Sequence, residues 1–167
     1  EYRLLLNEMD LLYADGMSVV KASRRLESPL PERVNAADFL HRFLWACRDE
    51  KRRVALVGSR PDVVKKCARK LEADIPGWKF CAVHHGHFAF GSSAEKRLLD
   101  GLRRSRADIV LTGMGSPRQE TWAVEKARDT GARVVWCVGA LFEYYGGRKR
   151  APVWMRRAGL EWLFRLA

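Results

Sequence analysis

The sequence lacks long apolar runs and lacks repeats, and both absences limit what the chain can be. No apolar run approaches the ~18 residues that a membrane-spanning helix requires. Internal repeats, low-complexity tracts and linkers are also missing, which argues against repeat and multi-domain architectures. The 167 residues suit a single domain over 1–167 with one core, and we expect one or both ends to be truncated.

Cysteine is scarce, and nothing in its spacing indicates a metal site or a disulfide. The four cysteines lie in apolar contexts without a CxxC pair, and we expect them to be buried, reduced thiols: Cys47, Cys67, Cys81 and Cys137. The run His84-His85-x-His87 has no second cluster of ligands to complete a metal site. A polar loop at a strand end is the favoured interpretation of these histidines.

Acidic residues are few beside the basic ones, and the formal net charge is +11. This excess favours an anionic partner (nucleic acid, a phosphorylated substrate or an anionic membrane), although it could simply serve solubility. The C-terminal stretch combines cations with aromatic residues, which suits a membrane surface or a single-stranded nucleic acid. A solvated arginine face over core aromatics is the alternative. The candidate membrane-contacting residues are Arg156, Arg157, Trp162 and Arg165.

Short apolar runs alternate with segments of helical spacing, which is typical of an α/β protein. Cap signals place helix starts at Asn35, Pro61 and Ser92 (with Glu95 completing a capping box) and a helix end at Gly131. Strands are predicted at 11–14, 54–57, 80–84, 109–112 and 134–138. Strand–helix alternation of this length predicts a mostly parallel sheet with helices on both faces.

Each predicted strand is followed by glycine or a polar turn. These turns lie at 15–16, 58–61, 85–87, 113–117 and 139–140. Parallel sheets bind ligands beyond the carboxyl ends of their strands, so this recurrence predicts a site on that edge.

The segment 113–120 is the most informative of these turns. Gly113 and Gly115 would let the backbone approach a ligand closely, and the helix that follows would present N–H groups to a phosphate. Arg118 adds a cation suited to bidentate phosphate binding. Alternatively, Ser116 and Gln119 merely form a capping box.

A weaker copy of this arrangement occurs at Gly58-Ser59-Arg60, which could cradle a nucleotide or could be a simple strand-to-helix turn. The full GxGxxG fingerprint and the Walker A sequence are both absent.

Two further charged residues, one in the first of these turns and one outside them, could accept a proton or bind a phosphate. Asp15, where an apolar run ends, could act as a general base or could cap the helix expected over 16–26. Arg33 could bind a diphosphate or pair with Glu32.

Taken together, these segments resemble the WecG/TagA/CpsF glycosyltransferases (glycosyltransferase family 26) from Asp15 to the end of the chain. The individual motifs are weak, but their order and spacing are specific. The motifs are 14–17 (ADGM), 31–34 (PERV), 113–120 (GMGSPRQE), 138–142 (VGALF), 150–155 (RAPVWM) and 159–166 (GLEWLFRL).

The resemblance implies a Rossmann-like fold of the GT-E type and inverting transfer of a hexose-type sugar from a UDP-sugar. The acceptor would be a sugar on polyprenyl diphosphate, in the synthesis of cell-surface polysaccharide or teichoic acid. The enzyme would need no metal or other cofactor, consistent with the absence of a DxD motif. It would be cytoplasmic and peripheral on the inner face of the bacterial plasma membrane, with a homo-oligomer conceivable and no nucleic-acid partner.

Residue roles carried by the resemblance fall on catalytic and substrate-binding positions. Asp15 matches the family's proposed base, Arg33 an arginine near the diphosphate, and Gln119 a functional glutamine. The expected substrate-binding residues are Gly58, Ser59, Arg60, Gly113, Gly115, Ser116, Arg118 and Glu120. Glu143 and His87 depart from the usual family residues, which are Asp and Tyr.

Two other classes of function stay open at this point. A single-stranded nucleic-acid-binding module would explain the charge and the C-terminal stretch, although no RNP, KH or helix-turn-helix pattern is present. A nucleotide-binding protein without catalysis would bind UDP but transfer nothing.

Overall fold

The computed structural model describes residues 1–26 and 28–166, without the side chains of Arg157, Trp162, Arg165 and Leu166. The predicted membrane contacts of Arg157, Trp162 and Arg165 therefore lie outside the described residues. Over the described ranges, we find no helix with the length and apolar character needed to span a bilayer.

Four parallel strands form one sheet in the order β2-β1-β3-β4. The strands are β1 (Arg53–Gly58), β2 (Lys79–His84), β3 (Ile109–Gly113) and β4 (Val134–Cys137). Four of the five predicted strands and the parallel sheet are thereby confirmed. The sheet order reverses between β1 and β3, which is where ligands bind in open sheets of this kind.

The helices are α1 to α9, with one short 3-10 turn at Arg48–Glu50. The predicted starts at Asn35, Pro61 and Ser92 and the end at Gly131 are confirmed. Their bounds are Tyr2–Asn7, Met17–Ser23, Ala36–Ala46, Pro61–Asp74, Ser93–Ser105, Arg118–Thr130, Leu141–Tyr145, Val153–Ala158 and Glu161–Leu166.

Helices cover both faces of the sheet: alternate residues of β1 point to opposite sides, and all residues of β1 except Arg53 are buried. Val54 and Leu56 pack in one cluster with residues of α3, α4 and α7. Ala55 and Val57 pack in another with residues of α5 and α6, including the fully buried Trp122. Burial on both faces explains the continuous apolar run of β1. The Rossmann-like α/β architecture is confirmed.

The prediction of a strand at residues 11–14 is wrong. This stretch belongs to a segment without strand pairing, residues 8–16, which we call the N-terminal strap. Leu11 and Leu12 are exposed, whereas Tyr13 accepts a hydrogen bond from the indole nitrogen of Trp136 at 2.6 Å and its ring packs against Phe39. Of the apolar residues that suggested a strand, Tyr13 contacts side chains of α3 and β4, whereas Leu11 and Leu12 stay largely exposed.

All four cysteines are free, but only Cys67 is fully buried; Cys47, Cys81 and Cys137 are half-buried. The expectation of full burial is therefore corrected for three of them. Burial, with a lesser contribution from a neighbouring glutamate, raises the pKa of both Cys67 and Cys137 to about 12. These two thiols are thus held in the unreactive, protonated form.

Candidate functional site

The turns after β1, β2 and β3 meet at one edge of the sheet through backbone contacts. The Ser59 amide donates to the Gly113 carbonyl at 3.0 Å, and the Gly86 amide donates to the Ser59 carbonyl at 3.3 Å. A Cβ on Gly58 would lie 2.8 Å from the Gly113 nitrogen, and one on Gly113 would lie 2.8 Å from the Gly139 carbonyl oxygen. Glycine is therefore required for the close approach, and the result is an edge lined by main chain.

A groove of about 2100 Å³ opens beyond this edge and reaches the N-terminal strap. Of the proposed catalytic residues, Asp15 and Gln119 line it, whereas Arg33 lies outside its lining. Gly58, a predicted substrate-binding residue at the end of β1, is also outside the lining. The substrate-binding predictions that the structure brings together in the groove are Ser59, Arg60, Gly113, Gly115, Ser116, Arg118 and Glu120.

Asp15 lies at the exposed end of the strap and does not cap α2. The N-cap of α2 is Gly16, and no side chain caps the helix. The Asp15 carboxylate instead accepts a hydrogen bond from the Asn35 side-chain amide. The Val34 amide donates to the Ala14 carbonyl at 2.8 Å, which ties the strap to the start of α3.

Arg33 belongs to a cluster of charged side chains centred on Asp38. Its guanidinium pairs with Asp38 and, at 3.1 Å, with Glu161, rather than with Glu32. Arg150 and Arg156 reach the same Asp38 carboxylate at 2.9 and 2.7 Å. One carboxylate of α3 thus joins the C-terminal segment, which carries Arg150 and Arg156, to the turn that carries Arg33.

Replacing Asp38 with alanine is expected to lower the free energy of unfolding by about 1–2 kcal/mol, because three partly buried guanidinium groups lose a shared counter-ion. Urea unfolding would measure this loss, which should shrink in 1 M salt as screening increases. Asp129, in an exposed pair with Arg103 at 3.0 Å, provides the control. Equal losses for the two alanine variants would show that the cluster adds no more stability than a surface pair.

The segment 113–120 holds its polar side chains together, but not as a capping box. Pro117 is the N-cap of α6 without a side-chain cap, so the alternative of a Ser116–Gln119 box is wrong. The Ser116 hydroxyl and the Gln119 amide both donate to Glu120, at 2.7 and 2.8 Å. Gln119 also accepts from the Gly139 amide at 3.2 Å. The nearly buried Gln119 thereby connects α6 to the loop after β4.

Arg118 has its guanidinium engaged with protein groups. It donates to the Phe88 carbonyl and lies 5.3 Å from the centre of the Phe88 ring and 4.4 Å from that of Phe90. The backbone N–H of Gln119 already donates to the Gly115 carbonyl at 2.9 Å. The start of α6 therefore presents fewer free backbone donors than the sequence suggested. Arg60, with a side chain 71% exposed, is the more accessible cation of the groove.

Glu143 is a candidate functional residue that the sequence interpretation noted only as a departure. One of its carboxylate oxygens accepts from the Ser59 hydroxyl at 2.8 Å, and Ser59 adopts a positive φ of 58°. The second oxygen of Glu143 and that of Glu120 are buried, and no residue of the described ranges bonds to them. Buried carboxylate oxygens without donors suit a ligand that carries hydroxyl groups.

The histidine run brings three rings together at the end of β2. The ring centres of His84 and His85 lie 4.4 Å apart in a tilted arrangement, and those of His85 and His87 are stacked at 5.8 Å. The pKa of His85 is lowered, first by desolvation and then by the other two histidines. No group of three or more His, Cys, Asp or Glu side chains within 1–26 and 28–166 is arranged to hold a metal ion. Independence from metal stays a prediction.

Arg156 faces α3 through Asp38 and donates to the Ala151 carbonyl at 3.1 Å. Its neighbours Val153 and Trp154 are exposed at 53% and 64%. The contact of this segment with a membrane stays a prediction, and the exposed apolar side chains are its best-placed participants.

Comparison with known proteins identifies related sequences. Proteins of Staphylococcus aureus strains NCTC 8325 and COL are each 30% identical over 165 residues, which is 98% of this chain and 63% of theirs. Both are named N-acetylglucosaminyldiphosphoundecaprenol N-acetyl-beta-D-mannosaminyltransferase. The chain thus spans somewhat under two thirds of the length of these relatives. The model of the glycosyl transferase WecG/TagA/CpsF family matches residues 1–167, and the chain belongs to this family.

Proposed function

We propose that this protein takes part in inverting transfer of a hexose-type sugar from a UDP-sugar to a sugar on polyprenyl diphosphate. Its family and the names of its relatives support the proposal, and N-acetylmannosamine is the first donor sugar to test. The observation that carries it is the groove at the carboxyl edge of the sheet, which brings the Asp15 carboxylate and the main-chain-lined turns into one space.

In this proposal, Asp15 is the general base. The acceptor hydroxyl attacks the anomeric carbon from the face opposite UDP while Asp15 takes the hydroxyl proton. The bond from the anomeric carbon to the diphosphate oxygen breaks, and UDP leaves with the electron pair. A positioned base of this kind contributes roughly 10²–10⁴-fold to the rate.

The negative charge that develops on the diphosphate needs positive groups in the groove. Arg60 and Arg148 are exposed cations of its lining, and the start of α6 lies beside Gly115. Arg33 would assist by exchanging one of its carboxylate partners for the diphosphate. Such stabilisation needs no metal ion, which is part of the proposal.

Hydroxyl groups of the donor would meet the buried acceptors of the groove. The unpartnered oxygens of Glu120 and Glu143 can each accept one hydroxyl hydrogen bond, and Ser59 holds the Glu143 carboxylate in place. Gln119 bonds to both Glu120 and the Gly139 backbone amide, and so fixes the position of Glu120 relative to the loop after β4. These contacts would orient the nucleotide sugar for attack.

The lipid-linked acceptor would be met at the inner face of the plasma membrane. Val153, Trp154 and Leu163 are exposed apolar side chains close in sequence to arginines, a combination that suits an anionic bilayer surface. Peripheral binding by this C-terminal segment is therefore part of the proposed function.

Calorimetric titration with UDP, GDP, ADP and a short single-stranded oligonucleotide, at physiological salt with EDTA present, tests the donor site. We expect UDP to bind selectively and without metal. A transfer assay with UDP-N-acetylmannosamine and a lipid-diphosphate acceptor would follow. Tight oligonucleotide binding without UDP binding would overturn the proposal, and UDP binding without transfer by a full-length protein would favour a nucleotide-binding role alone.

A further inference from the structure

The side chain of Asn35 makes two different contacts through the two ends of its amide. Its oxygen accepts from the Ala37 backbone amide at 3.0 Å and so caps α3. Its nitrogen donates to a carboxylate oxygen of Asp15. The N-cap residue of α3 is therefore also a residue that contacts the proposed base.

The orientation of this amide is fixed by the donors around its oxygen. The Ala37 amide and a terminal nitrogen of Arg150, the latter at 3.5 Å, both face the Asn35 oxygen. A flipped amide would place its NH2 group against these two donors and its oxygen against the Asp15 carboxylate, with repulsion at both ends. The Asn35 nitrogen must therefore face Asp15.

Arg150 is itself held firmly in place. Its guanidinium pairs with Asp38 at 2.9 Å, donates to the Ala37 carbonyl at 3.2 Å and lies 4.8 Å from the centre of the Tyr144 ring. Because Asp38 also holds two other arginines, the support behind Asn35 belongs to a cross-linked part of the molecule. Asp15 lies on a strap outside the sheet, and this contact ties it to that support.

We propose that Asn35 is a positioning residue that orients the Asp15 carboxylate and favours its charged form, with Arg150 fixing the direction of the Asn35 amide. The inference rests on the proposed role of Asp15 as the base. An amide N–H that donates to a carboxylate stabilises the anion, which is the form that takes a proton. Holding the carboxylate in one orientation also lowers the entropy that the side chain must lose to reach a reactive geometry.

Charged and titratable groups near this pair come from two sides. Arg150 approaches from the C-terminal segment, and Tyr13 belongs to the strap itself. The pKa of Tyr13 is raised mainly by burial, with Asp15 a smaller cause, so Tyr13 stays neutral at physiological pH. Asp38, in the first turn of α3, is shared by Arg33, Arg150 and Arg156.

Two variants separate positioning from helix capping, because Asp and Ser cap a helix about as well as Asn. Asn35→Ser removes the amide donor to Asp15 and leaves a shorter hydroxyl in its place, and Asn35→Asp replaces the amide with a second carboxylate. In a full-length enzyme we expect kcat to fall on the order of 10- to 100-fold for both, with little change in KM for the UDP-sugar. The acidic limb of the Asn35→Asp pH–rate profile should move to higher pH, because two adjacent carboxylates share a proton.

Titration of the Asp15 carboxyl by carbon-13 NMR gives a readout that does not depend on transfer. The pKa of Asp15 should be higher in both variants than in the wild type, even if the protein proves to transfer no sugar. Unchanged kcat, pH profile and Asp15 titration in folded variants would show that Asn35 only caps α3. A shifted titration with no transfer by the wild type would instead sink the proposed function and leave the positioning contact standing.

Discussion

Replacing Asp15 with asparagine is expected to reduce sugar transfer roughly 10²–10⁴-fold, the usual contribution of a general base. UDP affinity should stay the same, because Asp15 lies on the strap and not on the glycine-lined edge. The new side chain keeps an oxygen that can accept from Asn35, so the strap should keep its place. Single-turnover transfer and calorimetric UDP binding would measure the two effects separately.

Asp10 offers a matched control, since it lies on the same strap, is exposed and also lines the groove. Asp10→Asn removes the same charge a few residues away and should retain nearly full transfer. If Asp15→Asn kept near-normal transfer with UDP bound, another group would have to take the proton. If both variants lost activity equally, the charge of the strap, rather than a specific base, would be the cause.

The second large effect is expected at Gly58, where alanine should lower the free energy of unfolding by about 3 kcal/mol or more. An added Cβ would lie 2.8 Å from the Gly113 nitrogen and closer still to its carbonyl oxygen, and φ at Gly58 is +150°. Gly58 and the clashing backbone of Gly113 belong to adjacent central strands, so neither can yield without opening the sheet. Urea unfolding would give the loss, and UDP binding should weaken with it.

Gly101 is the control for this change because it lies inside α5 and an added Cβ would meet nothing within 4 Å. Gly101→Ala should stabilise the protein by roughly 0.5–1 kcal/mol, since alanine favours a helix more than glycine does. Similar unfolding midpoints for the two variants would mean that the close approach at Gly58 relaxes easily.

The sheet and its glycine-lined edge could be predicted because their signals are local. Strands buried on both faces appear as short apolar runs, and helix starts carry their own caps, as at Asn35, Pro61 and Ser92. The turns after the strands then fall on one edge as a consequence of parallel topology. Predicting the location of a ligand site at that edge therefore requires no knowledge of long-range side-chain contacts.

The remaining features depend on partners far apart in the chain. Nothing near Arg33 indicates that Asp38 and Glu161 will hold it, or that Arg150 and Arg156 will converge on the same carboxylate. The strap resembled a strand because the apolar content of 11–14 does not distinguish ladder pairing from side-chain packing. Arg118 resembled a phosphate ligand because its neighbours in space, Phe88 and Phe90, lie about thirty residues earlier.

The main-chain lining of the groove has a consequence for how such an enzyme can diversify. An added Cβ would collide with neighbouring backbone at Gly58 and Gly113, and with the Met114 side chain at Gly86, so mutation cannot readily remodel the turns to which these glycines belong. Under the proposed function, variation that changes the accepted sugar would therefore accumulate on the opposite, side-chain-bearing wall and in the strap. Enzymes built on this scaffold would then exchange one sugar for another while inheriting an unaltered seat for the nucleotide.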